Sequence, residues 1–172
     1  MEMTSWAVIA IIAFTFVMLA WRRTSPTAVL LVSNTAIFAI TLMAFNGFYN
    51  ITLIELGFKT PLFFRGEELW TLITSMFLHA DFMHLIFNMF FLILIGFPLE
   101  SRMGRWRFIA VYLIGGVIGN IVFAVTEWDA NIFLLLVGSS GAISALLGAM
   151  IMLYPKDKIL FPLGPILTNQ FS

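Results

Sequence analysis

Five long apolar stretches confine this chain to one kind of solvent and one kind of secondary structure. They run over approximately residues 4–21, 27–45, 82–99, 107–125 and 137–154. Each is close to the roughly 20 residues that a helix needs to cross a hydrocarbon core, where a helix keeps its backbone hydrogen bonds within its own segment. The expected fold is therefore all-α: a polytopic membrane helical bundle of five spans. Composition agrees, with 61% hydrophobic and 10% charged residues, against about half and about a quarter in a soluble domain.

The first stretch is the shortest. Trp6 and Trp21 bracket it as interfacial anchors do, and Arg22 and Arg23 follow it. A cleaved signal peptide carries its basic residues before the apolar run and small residues after it, so this segment is read as a retained anchor. Basic residues then set the orientation. With the N-terminus outside, Arg22, Arg23, Arg102, Arg105, Arg107, Lys156 and Lys158 face the cytoplasm, and only Lys59 and Arg65 lie outside. That asymmetry is the positive-inside pattern, and a multi-pass protein of the cell membrane is expected. The external stretch 46–74 mixes apolar and charged residues. Two readings suit it: a segment in the outer interface with Phe63, Phe64 and Trp70 in lipid, or a loop packed on top of the bundle.

Several function classes drop out. Formal charge is zero, so no electrostatic case exists for a nucleic-acid partner. There is no cysteine, hence no disulfide or thiolate site. Two histidines without a His-Glu-x-x-His pattern do not make a zinc protease. Neither a metal nor an organic cofactor is expected; the partners are membrane lipid and other membrane-embedded chains.

Polar residues inside hydrocarbon are costly and ask for a partner or a function. His84 and Asn88 are four apart near the start of the third span, so both project from one helical face. Ser140, between Gly138 and Gly141, opens the fifth span. Both spans enter from the same side, so the three polar groups share one depth. They suit acyl transfer: a serine hydroxyl as nucleophile, with Asn88, His84 and the free N–H groups of a helix start as oxyanion donors. Singly, each has a blander reading, as packing for the glycine-flanked serine and as an interhelical hydrogen bond for His84 and Asn88. Gly115 and Gly119, with Gly141 and Gly148, read as close helix packing.

These residues, in order, resemble the rhomboid family of intramembrane serine proteases over about residues 70–158. The carrying motifs are Trp70-Thr-Leu-Ile-Thr-Ser-Met-Phe-Leu-His79, His84-x-x-x-Asn88, Gly96-Phe-Pro-Leu-Glu-Ser-Arg-Met-Gly-Arg105, Tyr112-Leu-Ile-Gly-Gly116 and Gly138-Ser-Ser-Gly-Ala-Ile-Ser144. The resemblance implies a helical bundle with a water-filled cavity open to the exterior, cleaving transmembrane segments of membrane proteins near their outer end. It implies Ser140 as nucleophile and His84 with Asn88 as the oxyanion-stabilising pair. Ser139 occupies the variable position, the second choice of nucleophile after Ser140 and a candidate cavity or water contact, and His79 matches a second histidine near the cavity, tied to water or to structure. The family's loop arginine commonly follows a tryptophan, whereas Thr71 follows Trp70 here.

The family's base histidine lies two spans after the serine. No histidine follows Ser140 in these 172 residues. The expected organisation is an extra anchor over 1–26, a partial core over 27–158 and a short tail over 159–172 that reads as an incomplete next segment. On that basis the chain resembles a truncated or split protease, inactive alone. The alternative is a non-catalytic relative that binds transmembrane clients. A transporter finds less support, since almost no charge lies within the spans.

Overall fold

The computed structural model describes residues 1–43, 50–154, 159–161 and 164–166. Outside them lie the end of the second apolar stretch, residues 46–49 of the loop expected to be external, Lys156, Lys158 and most of the tail. Helices α1 (Met3–Ala20), α2 (Pro26–Met43), α6 (Phe82–Met103) and α7 (Arg105–Thr126) are long and apolar enough to cross a membrane. Short helices α3 (Ile51–Leu56), α4 (Thr60–Phe64) and α5 (Thr71–Thr74), then a 3-10 turn Ser75–Phe77, occupy the segment between α2 and α6. Helix α8 (Ser140–Leu153) completes the bundle. A small antiparallel pair, β1 (Ile159–Phe161) and β2 (Gly164–Ile166), follows with Ile159 opposite Ile166. The chain is an all-α multi-pass membrane bundle.

The fifth apolar stretch is only partly helical. α8 has 14 residues and rises about 21 Å at 1.5 Å per residue, short of a hydrocarbon core of about 30 Å. The chain enters it without a helical turn, since Leu136 pairs with Phe58 through two backbone hydrogen bonds of 3.0 Å. Gly138, at φ +118, then turns the chain into α8. Elsewhere the helix ends follow ordinary capping. Asp81 caps α6 by accepting from the His84 N–H at 2.8 Å, and Gly104, at φ +80, separates α6 from α7.

Leu30, Ile37, Leu92, Leu99, Phe108, Tyr112 and Leu146 form the buried core, while Phe14, Val32, Ile93, Ile114 and Val122 point outward, as a surface solvated by lipid tails requires. α7 and α8 approach closely through small residues. Gly115 faces Ala145, Gly116 faces Met76 and Ala142, and a Cβ on Gly119 would lie 3.2 Å from the Gly141 Cα. Gly148 differs from its expected packing role: a Cβ there meets nothing within 4 Å, so no neighbouring backbone depends on its small size.

α1 is no loose anchor. Its Val8, Ile12 and Leu19 belong to the common core, and Thr15 donates to the Ser33 hydroxyl on α2 at 2.7 Å. Arg105, at the sequence level a cytoplasmic charge and the last residue of a motif, reaches across the bundle. Its Nε donates to the Leu19 carbonyl and Nη2 to the Met18 carbonyl, each at 3.0 Å, and Nη1 to the Thr24 carbonyl. A cation on the last carbonyls of a helix satisfies orphan acceptors and opposes the macrodipole. Glu100 does the converse at the start of α2, accepting from Ser25 Oγ at 2.8 Å and the Thr27 N–H at 2.9 Å. In the segment between α2 and α6, Phe64 and Trp70 are exposed, whereas Phe63 packs on Phe58 with ring centroids 5.6 Å apart.

Candidate active site

His84 is the third residue of α6 and Asn88 lies one turn further, so both project from one face. Ser140 is the first residue of α8. All three line one open cavity of about 380 Å³ between the two helices, walled below by Phe91, Ile95, Ile143 and Leu147. The three side chains expected at one depth from span direction thus line a shared cavity. Ser140 is exposed to it, His84 is half-buried and Asn88 is buried.

The turn before Ser140 is held from several sides. The Gly138 N–H donates to the Ser75 carbonyl at 2.9 Å. Ser75 is itself fixed by Asn120 of α7, whose Nδ2 lies 2.9 Å from the Ser75 hydroxyl and 2.9 Å from the Leu72 carbonyl. The His84 ring lies against Gly138: a Cβ there would stand 2.6 Å from Nε2 and 2.7 Å from Cε1. Only a glycine meets both demands, the positive φ and the close approach of the imidazole.

Asn88 donates from Nδ2 to the His84 carbonyl at 2.8 Å, and its Oδ1 accepts from the Ser139 hydroxyl at 3.2 Å. Ser139 is fully buried and does not line the cavity. The wholly buried Tyr112 hydroxyl sits beside Ser139 and Asn34 without reaching hydrogen-bond geometry to either. His79 is buried behind His84, with ring centroids 5.2 Å apart and planes at 69°. Neither of its ring nitrogens has a hydrogen-bond partner among the described residues. Burial, with the neighbouring His84 second, pushes its pKa down to about 4, so the ring is neutral at physiological pH. Among the described residues no group of three His, Asp or Glu side chains is placed to hold a metal ion.

Chemically, the arrangement offers a hydroxyl at a helix start, facing an imidazole and a carboxamide. The first N–H groups of α8 have no intrahelical acceptor, and among the described residues no Asp, Glu, Lys or Arg lines the cavity. Ser75 and Asn120 were not anticipated. A lone asparagine within the apolar run of α7 was the available signal, since a buried amide needs partners.

Residues 66–169 match the family model described as Rhomboid domain. "RHOMBOID-like protein 6, mitochondrial" of Arabidopsis thaliana is 43% identical over 87 residues, which is 51% of this chain and 27% of that protein. "Putative rhomboid protease YdcA" of Bacillus subtilis (strain 168) is 43% identical over 86 residues, 50% of this chain and 42% of that protein. "Rhomboid-like protease 1" of Toxoplasma gondii is 35% identical over 99 residues, 58% of this chain and 33% of that protein. The chain thus spans between about a quarter and two fifths of the length of these relatives. No solved structure matches it. The family match covers more than half of the chain and contains the whole His84, Asn88 and Ser140 constellation; this protein belongs to the rhomboid family.

Proposed function

We propose that this chain carries the nucleophile and oxyanion half of a rhomboid-type intramembrane serine endopeptidase. The supporting observation is that Ser140, His84 and Asn88 open onto one cavity near the start of both helices. The Ser140 Oγ attacks the carbonyl carbon of a peptide bond in a transmembrane segment. Negative charge then develops on the carbonyl oxygen, and His84, the Asn88 amide and the N–H groups at the start of α8 receive it. The N-terminus lies outside, in the cell membrane, so the cavity opens toward the exterior and water reaches it by a short path. Substrates are transmembrane segments of membrane proteins, cut near their outer ends.

The hydroxyl proton needs a base. His79 and His84 are the histidines of the sequence. His79 is buried behind His84, and employing His84 as base would remove an oxyanion donor. A serine hydrolase without its base keeps only roughly 10³–10⁴-fold catalysis over water. The 172 residues alone are thus expected to be close to inactive, and turnover is expected when a histidine-bearing helix is supplied.

The test is to express the chain alone, and with the C-terminal spans of a complete relative, beside single-span fluorescent reporters. Cleavage in the complemented form that disappears in Ser140→Ala supports the reading. Cleavage that ignores Ser140→Ala, or none in either form, discards it.

The largely apolar lining of the cavity, Phe87, Phe91, Ile95, Ile143 and Leu147, suits a second reading: a non-catalytic rhomboid relative that holds transmembrane clients. Client crosslinking that survives Ser140→Ala, yet is lost when Gly115 or Gly119 is enlarged, would distinguish it.

A further inference from the structure

Ser139 holds the N-cap position of α8, and its carbonyl accepts the first helical bond, from the Ile143 N–H at 2.9 Å. A serine there ordinarily turns its hydroxyl back onto the N–H of the second or third helical residue. Ser139 does not: its side chain makes no capping hydrogen bond. The hydroxyl instead crosses to α6 and donates to Asn88 Oδ1 at 3.2 Å, in a fully buried position. A local stabilising contact is given up for one between helices.

The contact matters through the donor inventory of an amide. Asn88 has one acceptor oxygen and two N–H donors. One N–H is bound to the His84 carbonyl at 2.8 Å. The oxygen is held by Ser139, which leaves a single N–H beside the cavity where Ser140 lies. Reversing the amide would set its oxygen against the His84 carbonyl, acceptor against acceptor, so that end opposes a flip. A hydroxyl donating to the carbonyl oxygen of an amide also polarises its N–H groups, making the remaining one a better donor.

We propose that Ser139, rather than being a passive occupant of the turn, is a positioning residue that fixes and polarises the Asn88 carboxamide for oxyanion stabilisation. The inference rests on the hydrolase reading for its consequence, though not for its geometry. Loss of one buried neutral hydrogen bond corresponds to roughly tenfold in rate.

Two measurements test it, one on the 172 residues and one on the complemented form. In micelles, the side-chain ¹⁵N–¹H pair of Asn88, assigned by its loss in Asn88→Ala, shifts and broadens in Ser139→Ala and is largely restored in Ser139→Thr. In the complemented cleavage assay, Ser139→Ala lowers kcat about tenfold with KM unchanged, and has no further effect in an Asn88→Ala background. An unmoved Asn88 amide, or an equal loss of kcat in both backgrounds, overturns the proposal. If the amide moves while cleavage ignores Ser140→Ala, the hydrolase reading fails and the positioning stands. If nothing is cleaved, the amide spectrum alone decides.

Discussion

Replacing Gly138 with alanine tests the site with a single methyl group. The added Cβ would stand 2.6 Å from His84 Nε2 and 2.7 Å from Cε1, where ordinary contact needs about 3.5 Å. Either the imidazole or the turn must therefore give by roughly 0.9 Å. The imidazole has little room, since the His79 ring lies edge-on behind it at 5.2 Å. The turn has little room either, since Gly138 is tied to Ser75 at 2.9 Å and Leu136 to Phe58 at 3.0 Å. Backbone strain adds to this: φ is +118, and the left-handed side costs an L residue about 1–2 kcal/mol. Displacing a reacting or stabilising group by about 1 Å costs on the order of 100-fold in rate. Gly138→Ala is thus expected to lower stability in micelles by about 1–2 kcal/mol and, in the form complemented with the C-terminal spans of a relative, cleavage or fluorophosphonate labelling of Ser140 about 100-fold. Gly148→Ala is the control. A methyl there meets nothing within 4 Å, and alanine is favoured over glycine in a helix by about 0.8–1 kcal/mol, so stability should hold or rise. Full labelling and unchanged stability in Gly138→Ala would refute the geometry.

Three further outcomes follow from the packing and the charges. A Cβ on Gly119 would lie 3.2 Å from the Gly141 Cα, so Gly119→Ile overpacks the α7–α8 contact and should cost about 1–3 kcal/mol in micelle unfolding. Arg105→Met removes the cation from the carbonyls of Met18 and Leu19, and one charge-assisted bond is worth about 1.5–3 kcal/mol; α1 should become the first segment nicked in limited proteolysis. His79 ionises at about 4 in the folded chain, against 6.5 ordinarily. Below 6.5 the unfolded state binds the extra proton, so the contribution of His79, up to about 3 kcal/mol, is complete above that pH. It falls away as pH drops through the 6.5 to 4 window, and His79→Gln should flatten the acid side of a stability-versus-pH curve.

Much of the architecture was legible because hydrocarbon is a severe solvent. Long apolar runs located α1, α2, α6 and α7 to within a few residues, and their alternating direction placed the starts of α6 and α8 together. That alone brought His84, Asn88 and Ser140 to one cavity. Hydropathy could not show that the chain is non-helical up to Ser139, since Leu134–Val137 are as apolar as any helix; the pairing of Leu136 with Phe58 and the turn at Gly138 decide it. Nor could it show what Arg105 touches, because the Met18 and Leu19 carbonyls lie more than eighty residues away in the chain. Ser139 was legible as a helix start, yet which way its hydroxyl turns depends on a side chain of another helix.

Because the chain has no cysteine, paired cysteines report proximity without background. Asn88→Cys with Ser139→Cys, whose native polar atoms lie 3.2 Å apart, should form a disulfide readily under mild oxidation in membranes. Asn88→Cys with Gly148→Cys, about 13 Å further along α8 at 1.5 Å per residue, should not. Efficient crosslinking of the second pair, or none of the first, would mean that α6 and α8 do not bring their starts together.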